Sequence, residues 1–174
     1  MKKLLVILVV LAFAVPCLAQ TAQPPKPGPE VQKLAYYVGT WKSEGEVKVA
    51  GLFGPAGKSS GTEACEWFVG GFQVVCRAEV AGPGGKVAEL AILAYDAEAK
   101  AYAYYGITNA GTISTSKGTV AGNTWTWLSD WKAAGKLRFT EVQESPTARA
   151  IKVEHSVAGG PWTVIEEGKA TKVK

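Results

Sequence analysis

The chain reads as an all-β protein: a closed antiparallel up-and-down barrel of about ten strands, with a short N-terminal helix capping one end. Three observations predict it. Turn signals recur roughly every 12–15 residues after residue 60, the length of one strand plus a tight turn. Between the turns, apolar and polar residues alternate with the period of a half-buried strand. No segment offers the long crossover helix that parallel strands require, and many antiparallel strands joined by short turns leave no exposed edge only if the sheet closes. A two-sheet sandwich is the alternative architecture.

The N-terminus reads as an export signal over residues 1–19. Lys2 and Lys3 precede an apolar run from Leu4 to Val15, which is too short to span a bilayer. Pro16 ends it, and Cys17-Leu18-Ala19 sets small residues for cleavage after Ala19. Pro16 directly before Cys17 disfavours a lipid-modified cysteine. Residues 20–29, rich in Pro, form a flexible leader, and residues 30–174 form a single domain. The mature protein is expected in a periplasm or outside the cell, without a membrane span, as a monomer or weak dimer. Removing Lys2 and Lys3 leaves 17 basic against 15 acidic residues, a balance that points to neither nucleic acid nor an anionic membrane.

Pro29 suits the first position of the helix, with Val31, Leu34, Ala35 and Val38 as its apolar stripe. In the first strand Trp41, Ser43, Gly45, Val47 and Val49 share one face, and Lys42, Glu44, Glu46 and Lys48 the other. Residues 51–61, Gly-rich and off the beat, are expected as a lid over the mouth. Further on, Arg149, Ile151, Val153, His155 and Val157 alternate with polar residues. A slip of one residue would bury the charges, so each alternation specifies which face is inside.

Loss of the signal leaves two cysteines. If Gly70-Gly71 is a two-residue turn, Val69 faces Phe72, Trp67 faces Val74 and Cys65 faces Cys76, within reach of a disulfide. Counted from that turn, the cysteines fall at a hydrogen-bonded position, where Cα atoms lie farther apart. Two buried free thiols are the alternative.

Catalytic chemistry is scarce. One histidine and two cysteines cannot assemble a usual structural zinc site, there is no phosphate-binding Gly-rich loop, and no G-x-S-x-G elbow accompanies His155. A binding protein rather than an enzyme is expected. On the last strand Trp162, Val164 and Glu166 share a phase; an inward Glu166 needs a cation, and Arg149 is the preferred partner over Arg77 and Arg138. That pair would either close the barrel or anchor a ligand.

Aromatic residues dominate the remaining signal. Trp125, Trp127 and Trp131 share a face; Tyr102 and Tyr104 share one opposite Tyr105. Such rings either fill a small barrel or line a cavity for a small apolar or aromatic molecule. The expected ligand-binding residues are Trp41, Trp67, Val74, Tyr102, Trp125, Trp127 and His155, with Arg149 and Glu166 as polar anchors. A filled barrel that acts through its loops, as a structural or interaction protein, is the second reading. The rings are not interleaved with Lys or Arg, which argues against nucleic acid.

Four stretches together resemble one family. Residues 34–41 (LAYYVGTW) are similar to the helix-then-GTW entry of calycin-like barrels, which include lipocalins and nitrobindins. Residues 67–72 (WFVGGF) resemble a W-x-x-GG-F hairpin; residues 93–96 (LAYD) with Lys100-Ala101-Tyr102 resemble a G-Y-D…K-x-Y strand pair, with Ala94 departing from the glycine. Residues 159–166 resemble a closing GG-x-W…E strand. The set is similar to the bacterial domain-of-unknown-function family 1579 over residues 30–174; the resemblance implies a calycin-like closed barrel and no established activity. Nitrobindins hold haem through a His on an inward strand near the C-terminus, so the resemblance admits His155 as a haem ligand; an enzyme using His155, such as an isomerase or a haem-dependent one, is a third reading. The nitrobindin Tyr-Pro-Thr signature is absent, and no cofactor is the expectation.

Overall fold

The computed structural model describes residues 25–131 and 135–173. The expected signal and most of the leader lie outside the described residues. Helix α1 (Pro29–Gln32) continues as a 3₁₀ turn (Lys33–Tyr36). Ten strands follow: β1 Gly39–Val47, β2 Gly57–Trp67, β3 Gln73–Gly82, β4 Gly85–Asp96, β5 Ala101–Thr108, β6 Ile113–Ala121, β7 Thr124–Asp130, β8 Lys136–Ser145, β9 Ala148–Ser156 and β10 Thr163–Lys172. Each pairs antiparallel with its successor, and β10 returns to β1 to close the barrel, with Trp41 opposite Lys172 and Val47 opposite Glu166. Closure satisfies every strand edge, as the expected architecture required.

The helix enters one end of the barrel. Its buried face is Val31, Leu34 and Tyr37, with Ala35 exposed, rather than the α-helical stripe expected. The reason is the 3₁₀ turn, whose three residues per turn line up positions 31, 34 and 37. Hydrogen bonds bolt this plug in place: the Tyr102 hydroxyl donates to the Glu30 carbonyl at 3.0 Å, the Trp41 indole to the Tyr37 carbonyl at 2.8 Å, and Lys172 to the Tyr36 carbonyl at 3.0 Å. Leu34 packs against Cys65, Val74 and Cys76 in the same core.

Alternation places Trp41, Ser43, Gly45 and Val47 inside and Lys42, Glu44 and Glu46 outside, as read from the sequence. β4 and β5 are apolar on both faces: Leu90, Ile92, Tyr105 and Ile107 point outward and are exposed, with Ile113 of β6 directly opposite Ile107. The 51–61 stretch divides. Residues 57–61 belong to β2, while Leu52 and Phe53 fold over the end opposite the helix and pack with Leu137, Val153 and Ile165.

Cys65 and Cys76 are bonded, and Cys65 faces Cys76 in the β2–β3 ladder. The connecting loop is longer than the expected two-residue turn: Phe68 donates to the Gln73 carbonyl, and Val69 stands in solvent. This loop keeps the register but moves the cysteines to a non-hydrogen-bonded position, and their Cα atoms lie 4.1 Å apart. The bridge joins residues 11 apart, so loop-closure entropy assigns it about 3 kcal/mol. Urea denaturation with and without reductant should show a loss of that size, reproduced by the Cys65→Ser/Cys76→Ser double variant without reductant.

On the outer wall the buried Glu154 carboxylate accepts from Arg138 at 2.8 Å, and the Arg138 guanidinium lies 4.3 Å from the centre of the Trp162 ring. The Arg138 hydrogen bond holds the Glu154 carboxyl below its ordinary value of 4.5. A folded value below the unfolded one means stabilisation that is present above about 4.5 and lost as pH falls through the folded value. Glu154→Gln should therefore lower stability by about 1 kcal/mol at pH 7. Urea titrations at pH 7 and pH 3 should show the gap between wild type and variant closing in acid.

Candidate functional site

The barrel interior has three levels, and side-chain size decides each. Next to the plug, inward positions carry large rings. Trp125 and Trp127 lie two residues apart on β7, so they project side by side and stack with centroids 5.8 Å apart. Tyr102 meets Trp125 edge-on at 4.7 Å, and Tyr37 meets it at 5.3 Å. Gly118, opposite Trp127 on β6, makes this possible, because a Cβ there would sit 2.4 Å from the indole. Trp41, Val74 and Trp125 are fully buried. This level is packed.

Beneath it lies a charge taken out of water. Arg149, near the start of β9, is 5% exposed. Its guanidinium stacks over Trp41 at 4.5 Å and lies 5.3 Å from the Tyr37 ring. Nη2 donates to Glu63 at 2.7 Å, and Nε lies 3.5 Å from a Glu141 oxygen. The Tyr37 hydroxyl donates to Glu141 and accepts from the Trp127 indole at 3.2 Å. Burial works against the Arg149 charge, but Glu141 and Glu63 outweigh it and hold its pKa above the ordinary arginine value. Burial raises the Glu63 pKa, opposed by Arg149 and reinforced by Glu141 and Glu89. Burial and then Glu141 push the Tyr37 hydroxyl well above the ordinary tyrosine value.

The third level is polar and built from small residues. Here the inward positions are small: Ser43 and Gly45 on β1, Ser59 and Gly61 on β2, Ser114 and Ser116 on β6, Gly168 on β10. These residues, with Glu63, Phe139, Glu141 and Ile151, face inward from within their strands and yet keep solvent access. Two further carboxylates face inward. Glu89 accepts from the Tyr104 hydroxyl at 2.7 Å, and Glu166 accepts from Ser59 at 2.7 Å. At the rim opposite the plug, a cavity of about 440 Å³ is lined by Val49, Leu52, Phe53, His155 and Ile165.

A family model describing proteins of unknown function, DUF1579, matches residues 26–136. The chain belongs to the DUF1579 family. No curated protein matches it. Among solved structures, the barrel is similar to Rv2717c from M. tuberculosis, with a TM-score of 0.59 at 11% identity over 86% of this chain and 100% of that one. It is also similar to the S-type phycobiliprotein lyase CPES from Guillardia theta, with a TM-score of 0.55 at 8% identity over 82% of this chain and 92% of that one. These likenesses are of fold.

The residues expected to bind ligand do not converge in this DUF1579 barrel. Trp41, Val74, Tyr102, Trp125 and Trp127 pack into the level beside the plug, with Trp67 half-buried against it. Arg149 lies beneath the aromatic level, Glu166 is held by Ser59 in the polar level, and His155 lies at the rim. The expected Arg149–Glu166 pair does not form, because Arg149 reaches Glu63 and Glu141 instead. A register shift between Val164 and Glu166 turns Ile165 into the core, and Glu166 lies opposite Val153, away from Arg149. His155 does not fit a haem. Leu52 and Phe53, packed on Leu137, Val153 and Ile165, roof the cavity beside it, and a macrocycle would require that roof to be displaced.

Glu63, Glu89, Glu141, Tyr37 and Tyr104 were missing from the expected set. The three carboxylates carry a readable signal: each shares the apolar phase of its strand, with Cys65, with Ala91 and Leu93, and with Leu137 and Phe139. Glu63 also lies within 4.8 Å of both sulfurs, but oxidised as a disulfide they offer no thiolate to a metal. Truncating one member of a buried ionic group leaves the others unpaired, so Arg149→Met should lower stability by about 3–5 kcal/mol. Adding Glu63→Gln and Glu141→Gln should recover most of that loss, as read by urea denaturation of the single and triple variants.

Proposed function

We propose that this protein is an exported binding barrel that takes a small molecule into the chamber between the aromatic level and the Leu52–Phe53 roof. The observation that carries the reading is the solvent access of inward-facing Ser43, Ser59, Ser114 and Ser116 in a barrel whose plugged end is fully packed. A protein built only to present its loops gains stability by filling its interior, and large side chains at these positions would do so. Serine there fills less of the interior than an apolar side chain would. Phe139 and Ile151 supply an apolar wall, and the carboxylates and hydroxyls supply polar contacts, a mixture suited to small-molecule sites. The aromatic level is the floor of this site, with Trp127 and Tyr104 nearest the polar groups.

Export rests on the N-terminal segment together with the Cys65–Cys76 bond, which persists in oxidising compartments. Among the described residues no helix is long and apolar enough to cross a membrane. The Guillardia theta protein of similar fold is a phycobiliprotein lyase, so a barrel of this shape has been put to work on another molecule.

The test uses full-length chain secreted into a periplasm and titrated with N-phenyl-1-naphthylamine, a neutral apolar fluorophore. We expect saturable fluorescence at one site per chain and protein of the mass left by cleavage after Ala19. Ser114→Phe, which places a ring in the chamber, should weaken binding at least about tenfold while leaving the urea midpoint close to wild type. Absence of saturable binding would favour the filled-barrel alternative.

A further inference from the structure

The outer wall of the barrel is not uniform. On β4 and β5 the inward residues Ala91, Leu93 and Tyr102 are buried, yet outward Leu90, Ile92, Tyr105 and Ile107 are apolar too and stand 39–53% exposed. Ile113 of β6 is 74% exposed. An antiparallel strand with one wall in water ordinarily alternates apolar with polar, and strands apolar throughout are those covered on both faces. The register joins these side chains into one patch. Leu90, Ile107 and Ile113 form one row across the three strands, and Ile92, Tyr105 and Thr115 form the next, with no charged side chain in either row.

Elsewhere the wall is charged. Lys42, Glu44 and Glu46 on β1, Lys58 and Glu66 on β2, and Glu167 and Lys169 on β10 are all exposed. A barrel embedded in a bilayer carries its apolar band all the way round, whereas this apolar surface covers one side only. The flanks of the patch are balanced in charge: Glu66 bonds Arg77 at 3.0 Å on one side, and Lys117 and Asp130 are exposed on the other. A partner or an anionic lipid surface drawn by charge finds no excess of either sign there. Closure also leaves no strand edge for another chain to extend. What fits this wall is another apolar wall with balanced flanks, and a second copy of the chain presents one.

The area suits that partner. Large apolar side chains present roughly 150–250 Å² each when fully open, so these exposed fractions leave on the order of 500 Å² bare. Homodimer interfaces are about 65% apolar, so an apolar core of that size implies a footprint of about 800 Å² per copy, which is standard for a stable complex. We propose that this protein forms a two-fold dimer through the outer wall of β4, β5 and β6, with Tyr105 and Ile107 at the centre and the charged flanks as its rim. The proposal is independent of the binding reading above, which concerns the inner face of these strands.

Sedimentation equilibrium of the mature protein at up to about 100 μM should show a reversible dimer. Ile107→Lys sets two ammonium groups against each other near the two-fold axis and should weaken association at least about hundredfold. Ile113→Glu should weaken it as well, while Thr171→Lys on the opposite wall should leave it unchanged. Both patch variants should keep the wild-type urea midpoint when compared at dilutions where all are monomeric, because the altered side chains lie outside the core. Hydroxyl-radical footprinting of the wild type, which needs no variant, should find Tyr105 and Ile113 protected in the concentrated protein and labelled after dilution. A wild type that stays monomeric at that concentration overturns the proposal, as does a dimer that survives both patch substitutions or leaves Tyr105 and Ile113 labelled. Sedimentation of wild-type monomer with vesicles of phosphatidylethanolamine and phosphatidylglycerol, lost in Ile107→Lys, would also overturn it and give the wall to a lipid surface.

Discussion

The structure turns on where a single guanidinium is held. Arg149 sits between a packed aromatic level and a polar one, and a charge in that position is tolerable only if it is paired. Glu63 and Glu141 pair with it from opposite sides of the barrel, on β2 and β8, while Trp41 and Tyr37 cover its faces. Three strands, β1, β2 and β8, are therefore tied to one side chain of β9, and the plug is tied to it through Tyr37. The Tyr37 hydroxyl joins Glu141 to the Trp127 indole, so plug, charge and rings form one connected unit.

That unit explains why the two ends of the barrel differ. Toward the plug, rings are brought together by a glycine that gives them room: Gly118 beneath Trp127. Away from it, inward serines keep partial solvent access, and Gly45, Gly61 and Gly168 stand where a Cβ would come within 2.6–2.8 Å of a neighbour. The same residue type serves opposite purposes on the two sides of Arg149. In the aromatic level, glycine admits a larger neighbour; at Gly106 it makes room for the Glu89 carboxylate. The far end is closed on one side by Leu52 and Phe53, which pack on Leu137, Val153 and Ile165.

Several features were legible before any coordinates. The alternation of Trp41-Ser43-Gly45-Val47 against Lys42-Glu44-Glu46 has a period of two, and one such segment is enough to orient its strand. The Cys65–Cys76 pairing followed from counting back along the hairpin, although the loop proved longer than assumed. Glu63, Glu89 and Glu141 are visible as charges on the apolar phase of their strands, the same signal that marks Glu166. The aromatic residues were legible as inward-facing, and not as packed or cavity-lining, since phase alone cannot tell the two apart.

Strand number, closure, inward faces and the cysteine pair are thus properties of the sequence, because they depend on local period and on turn spacing. The tertiary structure alone decided which carboxylates meet Arg149. That depends on the register shift in β10, which turns Ile165 inward and carries Glu166 away, and on strands that are remote in the chain but converge across the barrel. It also decided that the rings fill the plugged end, because whether a space is filled depends on side chains from many strands at once, and no single strand's pattern carries that information.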